Sequence, residues 1–246
     1  MLRPLASSLR HIRLPARLAG VALLTACQTS GVSSDTDFTA LSPDMMPPLA
    51  ATERRWLFEG TVGSPPLGFR LGRTGGGAPA RWLVRRDSAG IGAAGMLVQD
   101  DSDRTDSRFA LAVADAPSFG DVRLSVRCRA ESGRVDRACG LVWRYQDAGN
   151  YYLARANALE NNVKLYYVQN GRRHDLREWR GRITTGEWHE LRADVHGDSA
   201  EIYFDGARIL SARDERLRTP GLVGLWTKAD SRTAFAGFSA TPLTSR

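Results

Sequence analysis

From about residue 107 onward, apolar and polar residues alternate in short runs broken by turn residues at intervals of about 8 to 15 positions. A helix would repeat its apolar residues every three or four positions, so this period predicts antiparallel strands and leaves no long amphipathic helix. The runs "VKLYYVQ" and "RRHDLRE" flank Asn170-Gly171, and "AEIYFD" and "ARILSA" are joined through Asp205-Gly206. Both dipeptides tolerate the two positive φ angles of a tight hairpin turn. "HELRADVH" is the expected partner of "AEIYFD" across Gly197-Asp198, and "GLVGLWTKA" and "TAFAGFSA" are further strands. Within "AEIYFD", Ile202 and Phe204 point one way while Glu201, Tyr203 and Asp205 point the other, as in a strand with one dry and one wet face. Before residue 107, "GMLVQ" and "RFALAV" read as strands and "GRTGGGAPARW" as a loop. Antiparallel strands in this number bury their apolar faces by stacking as two sheets, so the predicted fold is an all-β, two-sheet antiparallel β-sandwich.

The first residues carry Arg3, Arg10, Arg13 and Arg17 without an acidic residue, followed by the apolar run "LAGVALLTA". That run is too short to span a bilayer and reads as the core of a secretory signal. It ends in Leu24-Thr25-Ala26-Cys27, which resembles the bacterial lipoprotein signal. The resemblance implies cleavage before Cys27, acylation of its thiol, anchoring in the cell envelope and, from Gln28, the outer membrane. An ordinary secretory peptide that happens to hold a cysteine is the other reading. Residues 28 to about 52 are rich in Ser, Thr, Asp and Pro and carry no period, as in a flexible tether. The expected organisation is a signal over 1–26, a lipidated tether over 27–52 and a sandwich domain over 53–246.

Four of the 34 basic residues lie in that signal, which leaves 30 against 27 acidic ones after cleavage. The charges are interspersed, with no basic patch of the kind nucleic acid requires, so nucleic acid is not an expected partner. Only Cys128 and Cys139 then remain, both in an oxidising compartment. If "DVRLSVRC" and "CGLVWRY" form a hairpin about Gly133, the two cysteines fall opposite each other on the face that carries Val122, Leu124, Val126, Leu141 and Trp143. A cross-strand disulfide is the expectation, free thiols the alternative.

The stretch "WHELRADVHGDSAEIYFDGARIL" followed by "PGLVGLWTKADSRTAFAGFSA" resembles the C-terminal part of laminin G-like, concanavalin A-like jelly rolls. With "GLVWRYQDAGNYYLARANALENN" added, the chain is similar over about residues 56 to 240 to secreted bacterial domains grouped as 3-keto-disaccharide hydrolase and family 16 glycoside hydrolase-like. The resemblance implies the fold; the architecture hosts lectins, glucanases and adhesion modules alike.

A retaining glycosidase needs two carboxylates about 5 Å apart, which family 16 enzymes supply on one strand as Glu-x-Asp-x-Glu. This sequence has no such motif. Asp101 and Asp103 alternate within "QDDSDRTDS", read here as a solvated turn. The histidines assemble no site: His174 follows a hairpin turn, His189 shares parity with Leu191 and Val195, and His196 with Asp194. No EF-hand spacing is present, and the residues imply no cofactor, although calcium held by scattered Asp and backbone oxygens, as in some laminin G domains, stays open.

The polar segment "NYYLARANALENN" has two readings. In one it is a strand ending in a loop that Glu160 ties to Arg155. In the other, Arg144, Tyr152, Arg155, Asn157, Glu160, Asn162 and Lys164 line an exposed sheet face, joined by Trp226 and Lys228 from "WTKADS". Planar amides, a carboxylate and a guanidinium hydrogen-bond sugar hydroxyls, and aromatic rings stack on pyranose faces. Because Arg155 and Asn157 share parity with Leu153, either a bulge intervenes or these groups point toward the sandwich interior and form a buried ion-paired network. The favoured expectation is a lipid-anchored module that binds glycan or surface polymer without catalysis. The alternatives are a hydrolase resembling the 3-keto-disaccharide hydrolases, with Glu160 or Asp230 as acid or base, and a structural envelope lipoprotein.

Overall fold

Fifteen β-strands and no helix make up the parts of the chain that the computed structural model describes, residues 52–86 and 95–244. The proposed signal, Cys27 and nearly all of the tether lie outside those residues. In chain order the strands are β1 (Arg54–Trp56), β2 (Phe69–Thr74), β3 (Trp82–Arg85), β4 (Met96–Gln99), β5 (Phe109–Ala114), β6 (Val122–Ser132), β7 (Ala138–Asp147) and β8 (Asn150–Asn157). There follow β9 (Asn162–Gln169), β10 (Arg172–Arg180), β11 (His189–His196), β12 (Ser199–Phe204), β13 (Ala207–Arg213), β14 (Leu222–Lys228) and β15 (Arg232–Pro242).

All pairings among them are antiparallel, and they build two sheets. One runs β13-β12-β11-β6-β15-β4-β3, with β1 added beside β15; the other runs β10-β9-β8-β7-β14-β5-β2. The fold is therefore the expected antiparallel sandwich. Its hairpins fall where the turn dipeptides put them: β9 and β10 pair across Asn170-Gly171, β12 and β13 across Asp205-Gly206, and His196 pairs with Ser199. Asn170, Gly171, Asp205 and Gly206 all take positive φ, as such turns demand.

The alternation visible in "VRLSVRC" works by hiding Val122, Leu124, Val126 and Cys128 between the sheets while Arg123 and Arg127 stay outside. Across the gap Leu141, Trp143, Ala154, Leu165 and Leu225 of the second sheet complete the same core. Burying one such side chain contributes about 1.5 to 3 kcal/mol, and the core holds several dozen apolar residues, so this layer dominates stability.

Two expectations about local structure are corrected. β6 and β7 are not a hairpin. The chain crosses from one sheet to the other between them, and the Cys128–Cys139 disulfide, with a Cα separation of 6.4 Å, ties sheet to sheet rather than strand to neighbouring strand. Parity put both thiols on the core side, but the loop about Gly133 is long enough to change sheets, so facing replaces pairing. Second, "QDDSDRTDS" is not a solvated turn. Asp101 and Asp103 bind Arg108, which is fully buried and also donates to the carbonyls of Ala78 and Ala229. A buried guanidinium demands such partners, and the loop supplies them. The predicted loop "GRTGGGAPARW" is likewise shorter, since its first three residues end β2 and Trp82 begins β3.

Candidate functional site

Residues of the seven-stranded sheet that do not face the core form its outer face, and the register lays them out in rows. One row runs Gly72, Leu111, Trp226, Gly140, Arg155, Lys164 and Glu178 from β2 to β10. A parallel row holds Val142, Leu153, Tyr166 and Asp175, and another Ala138, Asn157, Asn162 and Arg180. Leu111, Leu153, Tyr166 and Trp226 are buried although they point away from the other sheet. On an ordinary sandwich such positions are wet and polar.

Charge lies over these apolar groups. The Arg173 guanidinium stands 4.6 Å from the ring centre of Tyr166, 4.8 Å from that of Phe109 and 5.9 Å from that of Trp226. Phe109 and Trp226 are themselves stacked at 5.5 Å. Arg155 and Lys164 also flank Tyr166, at 5.8 and 6.0 Å. Desolvated cation–π contacts of this kind contribute about 1 to 2 kcal/mol each. Gly140 makes room for the arrangement: a Cβ there would sit 2.8 Å from Leu153 Cδ1 and 3.2 Å from Trp226 Cβ.

Beside the aromatic floor is a polar network. Arg155, 2% exposed, donates through Nη1 to Asn162 Oδ1 at 3.0 Å and through Nη2 to Glu160 Oε2 at 2.8 Å and the Tyr166 hydroxyl at 3.1 Å. Asn162 Nδ2 in turn donates to Glu160 Oε2 at 3.1 Å and Glu178 Oε1 at 2.9 Å. Lys228 Nζ lies 2.6 Å from Asp106 Oδ1 and 3.2 Å from Asp136 Oδ2, and Lys164 pairs with Asp175 at 3.0 Å. Burial raises the Glu160 carboxyl, but the Arg155 hydrogen bond and charge outweigh it and hold Glu160 below the ordinary range. For Asp136 burial wins over the opposing Arg155 and Lys228 charges, and its affinity for a proton is raised.

The residues singled out from sequence divide. Arg155, Glu160, Asn162, Lys164, Trp226 and Lys228 do meet on this face. Asn157 shares it but is fully buried, donating to Asp136 and accepting from the Leu159 and Glu160 amides, so it shapes the 158–161 turn. Arg144 and Tyr152 lie elsewhere. Arg144 follows the Trp143/Asp147 irregularity of β7, takes positive φ and donates to the carbonyls of Leu217 and Gly197. Tyr152 has the opposite parity to Arg155, points between the sheets and donates to Asp214 at 2.6 Å. Trp226 is on the face yet fully buried beneath Arg173, so its ring is a floor rather than an open stacking surface.

Asp230 lies in the turn between β14 and β15. Its carboxylate accepts from the amides of Arg134, Val135 and Asp136 at 2.8, 2.9 and 3.2 Å and thereby clamps the β6–β7 crossover. Burial raises its proton affinity, the three amides more than offset that, and the net shift is downward. His189 is partly buried between Thr184 and Asp205, and His174 stacks on Tyr167. Among the described residues no group of three or more His, Cys, Asp or Glu side chains is placed to hold a metal ion.

Phe109, Tyr166, Arg173 and Glu178 were not read as site residues from sequence. A signal for two of them, Tyr166 and Arg173, existed: Glu178 reaches Lys164 only through a register shift between Asp175 and Arg177, but the Asn170-Gly171 turn itself fixes Arg173 opposite Val168 and Asp175 opposite Tyr166. Carrying the register outward from that turn would have placed them on the Arg155 face. Phe109 depends on the non-local β5–β14 pairing, which no local pattern encodes.

No family model matches the chain. A segment is 30% identical over 69 residues to the levanase of Bacillus subtilis (strain 168), spanning 28% of this chain and 10% of the levanase's length. Among solved structures, the chain is similar to the carbohydrate-binding module CBM66 from Bacillus subtilis, with 22% identity, a TM-score of 0.53 and coverage of 70% of this chain and 94% of the module. It is similar to the exoplasmic/lumenal domain of VIP36 in its Ca2+/Man3GlcNAc-bound form at 10% identity and TM-score 0.53, over 73% of this chain and 85% of that one. The β-glucanase of Bacillus licheniformis matches at 14% identity and TM-score 0.50, over 78% and 98%. At these identities the likeness is one of fold, and it defines the class: a two-sheet antiparallel jelly-roll sandwich of the concanavalin A-like kind.

Proposed function

We propose that the protein is a glycan-binding module that works without catalysis and is held at the bacterial envelope by a lipid on Cys27. The observation that carries the binding half is the outer face of the seven-stranded sheet. There Arg155, Asn162, Glu160 and Glu178 are pre-set by their mutual hydrogen bonds beside a Phe109–Tyr166–Trp226 floor. The partly exposed Glu160 and Glu178 carboxylates, held in place by the buried Arg155 and Asn162, present acceptors to sugar hydroxyls at little further cost in side-chain entropy. The module, lectin and glucanase to which the fold is similar make a saccharide the natural ligand class, and levan a natural first probe.

One observation bears on the hydrolase reading. Glu160 and Glu178 share the Asn162 amide, so the two carboxylates stand within about 6 Å of each other, near the separation of glycosidase pairs. Hydrolysis also needs one member kept protonated, and here Arg155 holds Glu160 ionised while Arg180 pairs with Glu178 at 2.9 Å. Binding therefore accounts for the pair better than acid–base chemistry does.

Calorimetry against levan and a glycan array tests the reading. Tyr166→Leu and Asn162→Ala, both of which remove a buried partner of Arg155 and lower stability, should each weaken binding about tenfold or more in protein that a melting curve shows to be folded, and Tyr203→Leu on the other sheet should leave it intact. Release of reducing sugar that Glu160→Gln abolishes would replace binding by hydrolysis. For the anchor, Cys27→Ser should move the protein from the membrane fraction to the soluble one; a variant that stays with the membrane refutes it.

A further inference from the structure

On this face each cation except one is neutralised. Lys228 pairs with Asp106 and Asp136, Arg155 with Glu160, Lys164 with Asp175 and Arg180 with Glu178. Arg173 makes no ion pair and no side-chain hydrogen bond among the described residues, and its Nη1 is buried without a partner. Arginine is expensive to desolvate, and a buried N–H left unsatisfied costs about 1 to 3 kcal/mol, so a site that keeps one in this state holds a donor in reserve. The rings beneath it fix the plane of the guanidinium, and a guanidinium of fixed plane matches a carboxylate through two parallel hydrogen bonds.

We propose that the glycan recognised here is acidic, and that Arg173 receives the carboxylate of a uronic acid residue while the Glu160 and Glu178 carboxylates, held by the buried Arg155 and Asn162, accept from the neighbouring hydroxyls. This rests on the glycan-binding reading and narrows it. Asp175 is paired with Lys164, and the nearest carboxylate-free ground on the face is the strip over Tyr166 and Phe109, so the incoming carboxylate completes a pairing pattern that the protein leaves open at one position.

The test is calorimetry of the full chain, purified in detergent, against oligogalacturonide, oligomannuronate and hyaluronan oligosaccharides, each compared with its neutral methyl ester, together with levan and dextran sulfate. At least one uronide should bind about tenfold or more tightly than its ester, and that preference should fall as salt is raised. Arg173→Met should abolish the preference, and Arg173→Lys, which keeps the charge without the planar fork, should restore only part of it; a melting curve on each variant verifies folding. Equal affinity for acid and ester, or an unchanged preference in Arg173→Met, overturns the inference while neutral glycan binding still stands. Dextran sulfate bound through Arg173 with no uronide bound overturns the carboxylate assignment. Failure of every saccharide, levan included, overturns the glycan-binding reading itself.

Discussion

The two faces of the seven-stranded sheet are made by alternate residues of the same strands, yet they are built on different rules. The inner face presents Leu141, Trp143, Ala154, Leu165 and Leu225 to a second apolar layer. The outer face also buries aromatic rings, Tyr151, Tyr166 and Trp226, but sets Arg155, Arg173 and Lys164 over Tyr166. The first arrangement maximises the area removed from water. The second fixes charged and planar groups in place on a rigid floor, the arrangement that the proposed function uses for recognition.

The sharpest way to break this comparison is to truncate one leucine on each face. Leu141→Ala should cost about 3 to 5 kcal/mol in denaturant unfolding, because two packed sheets cannot collapse around the void. Leu153→Ala, equally buried on the outer face, should cost about 2 kcal/mol, since flexible charged side chains can close over the gap. Equal losses would mean the outer face is a second core. Removing the inter-sheet disulfide by Cys128→Ala with Cys139→Ala should cost about 2 to 4 kcal/mol in thermal or denaturant unfolding and leave glycan affinity unchanged, because the bridge lies on the inner side.

The smallest effect is the acid profile. Asp230 and Glu160 have folded proton affinities below their unfolded values, burial being outweighed by the amides of Arg134, Val135 and Asp136 in the one case and by Arg155 in the other. Their contribution is complete above the ordinary carboxylate range and lost as pH falls through the lowered folded values, and Asp103, lowered to about 2 chiefly by the Ala78 amide, acts with the same sign. Asp136 acts with the opposite sign, since its raised value relieves a burial penalty as pH falls. Unfolding free energy measured from pH 6 to pH 2 should therefore drop below about pH 4, less steeply in Asp230→Asn. A variant whose slope matches the parent would remove Asp230 from the account.

How much of this was legible in the sequence depended on distance along the chain. Strand alternation and the Asn170-Gly171 and Asp205-Gly206 turns are local, and they located β6 to β15 well. Arg155, Asn162 and Lys164 were found because one hairpin places them together; parity rightly tied Arg155 to Leu153 and to burial but aimed it between the sheets, whereas both lie on the outer face with no bulge between β8 and β9. Trp226, Phe109 and Asp136 reach the same face through pairings between strands far apart in sequence, so neither the burial of Trp226 nor the part played by Phe109 was readable. The change of sheet between β6 and β7 was missed for the same reason, since a turn-rich segment reads alike whether it closes a hairpin or spans a sandwich.

The account stands on which face takes ligand, and an NMR titration of the 15N-labelled protein with levan and with oligogalacturonide reads that directly. The indole N–H of Trp226 and the guanidinium Nε–H of Arg173 should shift on ligand addition, while the Trp188 indole, which lies beneath Arg127 and Arg129 of the other sheet, stays fixed. Shifts at Trp188 with Trp226 and Arg173 unmoved would contradict it.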